Sequence, residues 1–274
     1  MTRREALKLA GLAAIGAWTG SAVAAESEPR LKLGVASYSL SNLTADAVIA
    51  ELKKLDIHYV TLFKSHCPWD KTPEDCRAAA KKFTDAGLTI TGSGVIELPN
   101  DELVVKKAFE NAAAAGLSTM DSRPHPDALA LVEKYVKQYD IRLAIHNHGP
   151  TDKLYPSPYD AWKVIQPFDA RIGLCIDVGH AWRAGTDPAE AIHKCRARLY
   201  DIHLKDSLAH PGATKDIPTE VGQGHMDIKG ILAALIEIKY DRIVAFEYEK
   251  RGNSVAGLEQ SVAYVRKVMP ELPA

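Results

Sequence analysis

Leu199-Tyr200-Asp201-Ile202-His203-Leu204-Lys205 reads in two registers at once. Leu199, Ile202 and Leu204 supply the apolar content of a short β-strand, while Asp201, His203 and Lys205 fall on every second position and so share one face. A strand that is apolar on one face and charged on the other, with no turn signal inside it, belongs in a sheet whose charged face is enclosed and used. The neighbouring runs repeat the device. In Leu143-Ala144-Ile145-His146-Asn147-His148 the face of Ala144 also carries His146 and His148. Gly173, Cys175 and Asp177 share a face, with His180 just beyond, and so do Ala245, Glu247 and Glu249.

Working outward, short apolar runs alternate with amphipathic helical stretches along most of the chain. The runs are Leu31–Leu40, His58–Lys64, Thr89–Val95, Leu117–Ser122, Arg142–His148, Ile172–Asp177, Leu199–Lys205 and Arg242–Glu249. Between them the spacing predicts helices over Thr44–Leu55, Pro73–Ala86, Asp101–Ala115, Pro126–Tyr139, Asp187–Arg196, Ile228–Ile238 and Ala256–Val268, with the weakest signal over Pro158–Ile165. Thr72-Pro73 and Asp187-Pro188 place an N-cap before a first-turn proline. Strand–helix alternation of this kind predicts parallel strands with right-handed crossovers, and a single (β/α)8 TIM barrel of about 250 residues. A doubly wound open sheet would want a glycine-rich phosphate turn after the first strand, and Ser37-Tyr38-Ser39-Leu40-Ser41 is not one.

The first 25 residues stand apart. Thr2-Arg3-Arg4-Glu5-Ala6-Leu7-Lys8 resembles a twin-arginine export motif; a moderately apolar stretch follows, and Ala22-Val23-Ala24 offers a small-residue cleavage site. The expectation is a signal peptide over 1–25, a barrel over 26–274, a periplasmic location and no stable membrane insertion. Net charge is −1, which gives no electrostatic reason to expect a nucleic-acid partner. Cys67, Cys76, Cys175 and Cys195 form no CxxC pair and read as free buried thiols.

Barrel interiors are normally filled with branched apolar side chains, and isolated charges there are costly unless paired or bound to metal. Four consecutive strands ending in carboxylate or imidazole groups therefore predict a metal centre at the C-terminal mouth. The candidate ligands are His146 (or His148 in its place), Asp177, His203 and Glu247. Mixed oxygen and imidazole donors suit Mn²⁺, Co²⁺, Fe²⁺ or Zn²⁺ better than Ca²⁺.

Cys175-Ile176-Asp177-Val178-Gly179-His180, Asp201-Ile202-His203-Leu204-Lys205-Asp206, Gly222-Gln223-Gly224-His225-Met226-Asp227 and Phe246-Glu247-Tyr248-Glu249 together resemble the xylose isomerase-like barrels, a group that includes sugar epimerases, inosose dehydratase and apurinic endonuclease relatives. The resemblance implies metal ligands at Asp177, His203 and Glu247. It also implies a small-molecule sugar substrate and proton transfer beside a carbonyl, by isomerisation or epimerisation. The family's epimerases carry a glutamate where this chain has His146, and the histidine-rich His146-Asn147-His148-Gly149-Pro150 looks more like the dehydratase and hydratase branches, so a lyase outcome stands beside the epimerase one. Catalytic candidates are Glu249, His148, His66 and Lys64, with Glu249 alternatively a partner of Lys205. Substrate contacts are expected from His180, Lys205, Trp182 and Arg123, with Trp69 a second stacking candidate.

Overall fold

In a computed structural model that describes residues 30–273, the chain forms the expected barrel. Its strands are β1 (Lys32–Ala36), β2 (Tyr59–Leu62), β3 (Thr89–Ser93), β4 (Ile96–Leu98), β5 (Thr119–Pro124), β6 (Arg142–His146), β7 (Ile172–Asp177), β8 (Leu199–Leu204), the short hairpin β9 (Asp206–Ser207) and β10 (Pro218–Thr219), and β11 (Ile243–Phe246). Nine of them join in one parallel sheet in the order β3-β2-β1-β11-β8-β7-β6-β5-β4. The third predicted run, Thr89–Val95, holds only β3, which stays with β2; β4 lies just beyond it, past Gly94-Val95, and crosses to β5. The expected eight-strand barrel closes except between β3 and β4.

The helices are α1 (Ala45–Lys54), α2 (Pro73–Asp85), α3 (Glu102–Ala114), α4 (Leu129–Tyr139), α5 (Pro158–Ile165), α6 (Val178–Arg183), α7 (Pro188–Cys195), α8 (Ile228–Glu237) and α9 (Ser254–Val268). Their starts follow the chemistry of the caps. Thr72 accepts from Asp75 N while the Asp75 carboxylate accepts from Thr72 N, and Asp187 accepts from Glu190 N ahead of Pro188. Val178-Gly179 is not a turn between strand and helix but opens α6, with Asp177 as its N-cap.

Two apolar regions divide the interior. The large one packs helix faces such as Val48 and Leu52, Phe83, Phe109, Val132 and Leu232 against the sheet. The small one is Ala36, Ile243 and Ala245 with Tyr59 against them. All four cysteines are buried and free. The signal-peptide reading of 1–25 lies outside the described residues.

Candidate metal centre and active site

The site begins with Asp177, where strand alternation and helix capping meet in one side chain. Its Oδ1 accepts from His180 N at 2.7 Å and so starts α6. Its buried Oδ2 takes no part in the cap and pairs instead with Lys205 Nζ at 2.7 Å. Asn147 fixes this strand end from the adjacent strand: its Nδ2 donates to Asp177 O at 3.1 Å and its Oδ1 accepts from Asp177 N at 3.0 Å.

Around Asp177 Oδ2 the strand ends converge. His146 Nε2 lies 3.5 Å from Asp177 Oδ2 and 3.0 Å from His203 Nδ1, and His203 Nδ1 lies 3.3 Å from Glu247 Oε2. Ligand atoms of these four buried residues all lie within 4.8 Å of one another. A tetrahedron built on metal–ligand bonds of about 2.0–2.1 Å has edges near ~3.4 Å. Together with the chemistry of two imidazoles and two carboxylates, this means the residues present fit a divalent transition ion. His146 belongs to the group; His148 stands beside it, its Nδ1 donating to His146 O at 3.1 Å.

A fifth charged group enters. Lys205, 3% exposed, brings Nζ to 2.7 Å from Asp177 Oδ2, 2.8 Å from Glu247 Oε2 and 3.1 Å from Glu249 Oε2. Burial alone would pull this ammonium's pKa down, but the three carboxylates hold it well above its ordinary value. Burial would likewise push Asp177 and Glu247 up. It is outweighed by His180, Lys205 and His146 at Asp177, and by His203 and Lys205 at Glu247, so both stay ionised. Glu249 is raised, first by burial and then by Glu247, with Lys205 pulling against them. His148 is lowered to about 3 by burial and by His146, which keeps its ring neutral.

Above the cluster opens a cavity of about 200 Å³. His146, His148, His180, His203, Glu247 and Glu249 form one side; Tyr38, Phe63, Gly94 and Val95 form the other. The Tyr38 and Phe63 rings meet edge-on, with centroids 4.9 Å apart. Sequence reasoning missed this aromatic wall, although both residues sit just past the ends of the first two strands, where barrel side chains reach the mouth.

The other expected site residues are placed elsewhere. Lys64 is exposed, with its ammonium 5.6 Å from the Phe63 ring centroid. His66 is buried, Nδ1 standing 2.9 Å from Ser37 Oγ and Nε2 3.1 Å from Leu43 O, while Ser37 Oγ also accepts from Phe63 N. It braces the aromatic wall from behind. Trp182 Nε1 donates to Ala209 O and Trp69 Nε1 to Leu62 O, and both rings pack into the core rather than line the cavity. Arg123 is held by Asp152 at 2.7 Å and Glu97 at 3.1 Å, outside the cavity lining.

The sequence profile of the xylose isomerase-like TIM barrel matches residues 126–268, which carry all four grouped residues. The chain belongs to this family. Among solved structures, the zinc-bound IolI protein is similar in fold with a TM-score of 0.73 at 16% identity, covering 89% of this chain and all of that one. The 3-keto-D-glucoside 4-epimerase YcjR of E. coli has a TM-score of 0.66 at 16% identity, covering 86% of this chain and 99% of that one. Among curated proteins, a probable endonuclease 4 of Thermoplasma volcanium is 26% identical over 153 residues, 51% of this chain and 52% of that protein. The chain spans about half the length of that relative. The probable 3-DHS dehydratase AsbF of Bacillus anthracis shares the fold too, with a TM-score of 0.70 at 11% identity, and no helix among the described residues is long and apolar enough to cross a membrane.

Proposed function

We propose that this chain is a metal-assisted enzyme that moves a proton at a sugar carbon beside a carbonyl, acting as an isomerase or epimerase. The observation that carries the reading is the convergence of His146, Asp177, His203 and Glu247 on one point, beneath a cavity that Glu249 and His148 also line. A divalent ion held by those four residues supplies positive charge at the substrate's oxygens and acidifies the adjacent carbon. The remaining chemistry belongs to side chains. Glu249 is the base that takes the carbon proton, with Lys205 at 3.1 Å to steady its ionised form. Tyr38 and Phe63 offer the aromatic wall against which a sugar ring rests, the role first expected of Trp69 and Trp182. The zinc in the IolI structure and the keto-sugar chemistry named for YcjR support this reading.

One observation favours a second outcome. His148 donates Nδ1–H to His146 O, which leaves its Nε2 a lone pair at the cavity. A second proton-handling group beside Glu249 suits loss or addition of a β-substituent after the same proton removal beside the carbonyl, so a lyase, dehydratase or hydratase of a 3-keto-sugar is the alternative. The endonuclease reading has less support, since a net charge of −1 offers little attraction to a phosphate backbone.

Metal analysis of the purified protein, then NMR of product mixtures from keto-sugars and 3-keto-glycosides, tests the proposal. His203→Ala and Asp177→Ala are expected to lose bound zinc and nearly all turnover while staying folded. Full metal content in both variants would overturn the ligand assignment; eliminated rather than epimerised product would select the lyase outcome.

A further inference from the structure

His180 lines the cavity, and what its ring offers there is decided by a residue outside the cavity lining. Arg183, 4% exposed, lies one turn further along α6 and directs its guanidinium back at the ring, NH2 standing 2.7 Å from His180 Nδ1. A guanidinium has donors only, so Nδ1 must accept. In the uncharged ring the proton then resides on Nε2. We infer that Arg183 is a positioning residue that locks His180 in its Nε2–H form, so that the ring presents a hydrogen-bond donor to the cavity.

The guanidinium is itself held from three sides. NH1 donates to Ala213 O at 3.4 Å and Thr214 O at 3.3 Å, and Nε faces Asp216 Oδ2 at 3.4 Å. Asp216 is in turn fixed by Ser207 Oγ–H at 2.7 Å and by Ile217 N–H at 2.8 Å. On the remaining side lies Gly149, at φ +86°, where an added Cβ would stand 2.8 Å from Arg183 NH2. The glycine that closes His146-Asn147-His148-Gly149 therefore serves the turn and the guanidinium together.

The consequence is a division of labour between two stacked imidazoles. His148 and His180 lie 5.9 Å apart at 25°. His148 gives its Nδ1 proton to His146 O and keeps an Nε2 lone pair; His180 receives at Nδ1 and keeps an Nε2 proton. A ligand lying across both rings meets an acceptor and a donor side by side, which matches a hydroxyl next to a carbonyl. That last step rests on the sugar reading above; the tautomer assignment does not.

Long-range ¹H–¹⁵N correlation spectra of the metal-free full chain, labelled with ¹⁵N-histidine, test the inference without any substrate. His180 is identified by the signals lost in His180→Gln. The expected pattern is an unprotonated, hydrogen-bonded Nδ1 and a protonated Nε2. Arg183→Met, and Gly149→Ala by displacing the guanidinium, should shift His180 toward exchanging tautomers, while Asp216→Asn should leave the pattern in place. A wild-type spectrum with the proton on Nδ1 overturns the inference even where a variant fails to fold, as does an unchanged pattern in folded Arg183→Met. Failure of the sugar screen with this pattern intact would count against the substrate and leave Arg183 in its role.

Discussion

Lys205 Nζ lies 2.7 Å from Asp177 Oδ2, the same oxygen that His146 Nε2 approaches at 3.5 Å. The candidate metal centre therefore carries its own competing cation. An ammonium and a divalent ion drawn to the same two carboxylates repel each other, and at this burial the repulsion is poorly screened.

Lys205→Met should bind zinc at least about tenfold more tightly than the parent, since about 1.4 kcal/mol of relieved repulsion suffices for that factor. Calorimetric titration with zinc reads it directly. Equal or weaker affinity in a folded variant would show that lysine and metal do not share those oxygens. Turnover should fall in the same variant, because Glu249 loses the partner that steadies its ionised form.

Glu249→Gln keeps size and hydrogen bonding but cannot take a proton. Zinc content should be unchanged and turnover should drop by about 10²–10⁴-fold, the usual worth of a positioned base, with solvent-deuterium exchange at the acidic carbon falling in step. If that variant turns over normally while His148→Gln abolishes exchange, the base is the imidazole and Glu249 is only the lysine's partner.

Glu220 offers a pH test away from the chemistry. Burial would raise its carboxyl, but its own backbone N–H, Lys250, Tyr248 and Thr219 together hold it at about 2 against an ordinary 4.5. A folded-state value below the unfolded one gives stability that is complete above the unfolded value and is lost as pH falls through the folded one. Glu220→Gln should thus lower the melting temperature at pH 7 by about 5 °C, taking charge-assisted hydrogen bonds at roughly 2 kcal/mol. The gap should close as pH drops from about 4.5 toward about 2. A gap that persists at pH 2 would mean the glutamine has disturbed packing, not charge.

Export remains a proposal carried by Arg3 and Arg4. Replacing both with Lys should leave the precursor in the cytoplasm, because the pair is read by a receptor and not by hydrophobicity. Undiminished periplasmic yield would point to another route.

The grouped residues were legible because alternation is rigid inside a strand: Ala144 with His146, Cys175 with Asp177 and Asp201 with His203 had to share a face. Past strand ends the rule is no longer binding. It still held for His148, Glu247 and Glu249, which line the cavity, but β2 stops at Leu62, and the catalytic candidates Lys64 and His66 beyond it do not. Trp69 and Trp182 went to the core because a large ring buries much apolar area once its N–H finds a carbonyl, and each does. Helix α6 was invisible because Val178-Gly179 is a poor helical start by propensity and forms only with the Asp177 cap. The break at Gly94-Val95 falls at the end of the third run, and β4 beyond it, three residues long, is too short to show a strand period.

That break gives the barrel a seam. A fully closed ring of strands can enlarge its mouth only through its loops, since each strand is laddered to two neighbours. Here β3 and β4 end the sheet, and the two residues between them face the substrate space. Gly94 packs so closely on Phe63 that an added Cβ would come within 2.7 Å of its ring. Bulk added or removed at this point is transmitted to the aromatic wall while the strand ladders that carry His146, Asp177, His203 and Glu247 stay as they are. Under the proposed function, substrate size and catalytic geometry are thereby assigned to opposite sides of the barrel, and selection can alter the first without disturbing the second.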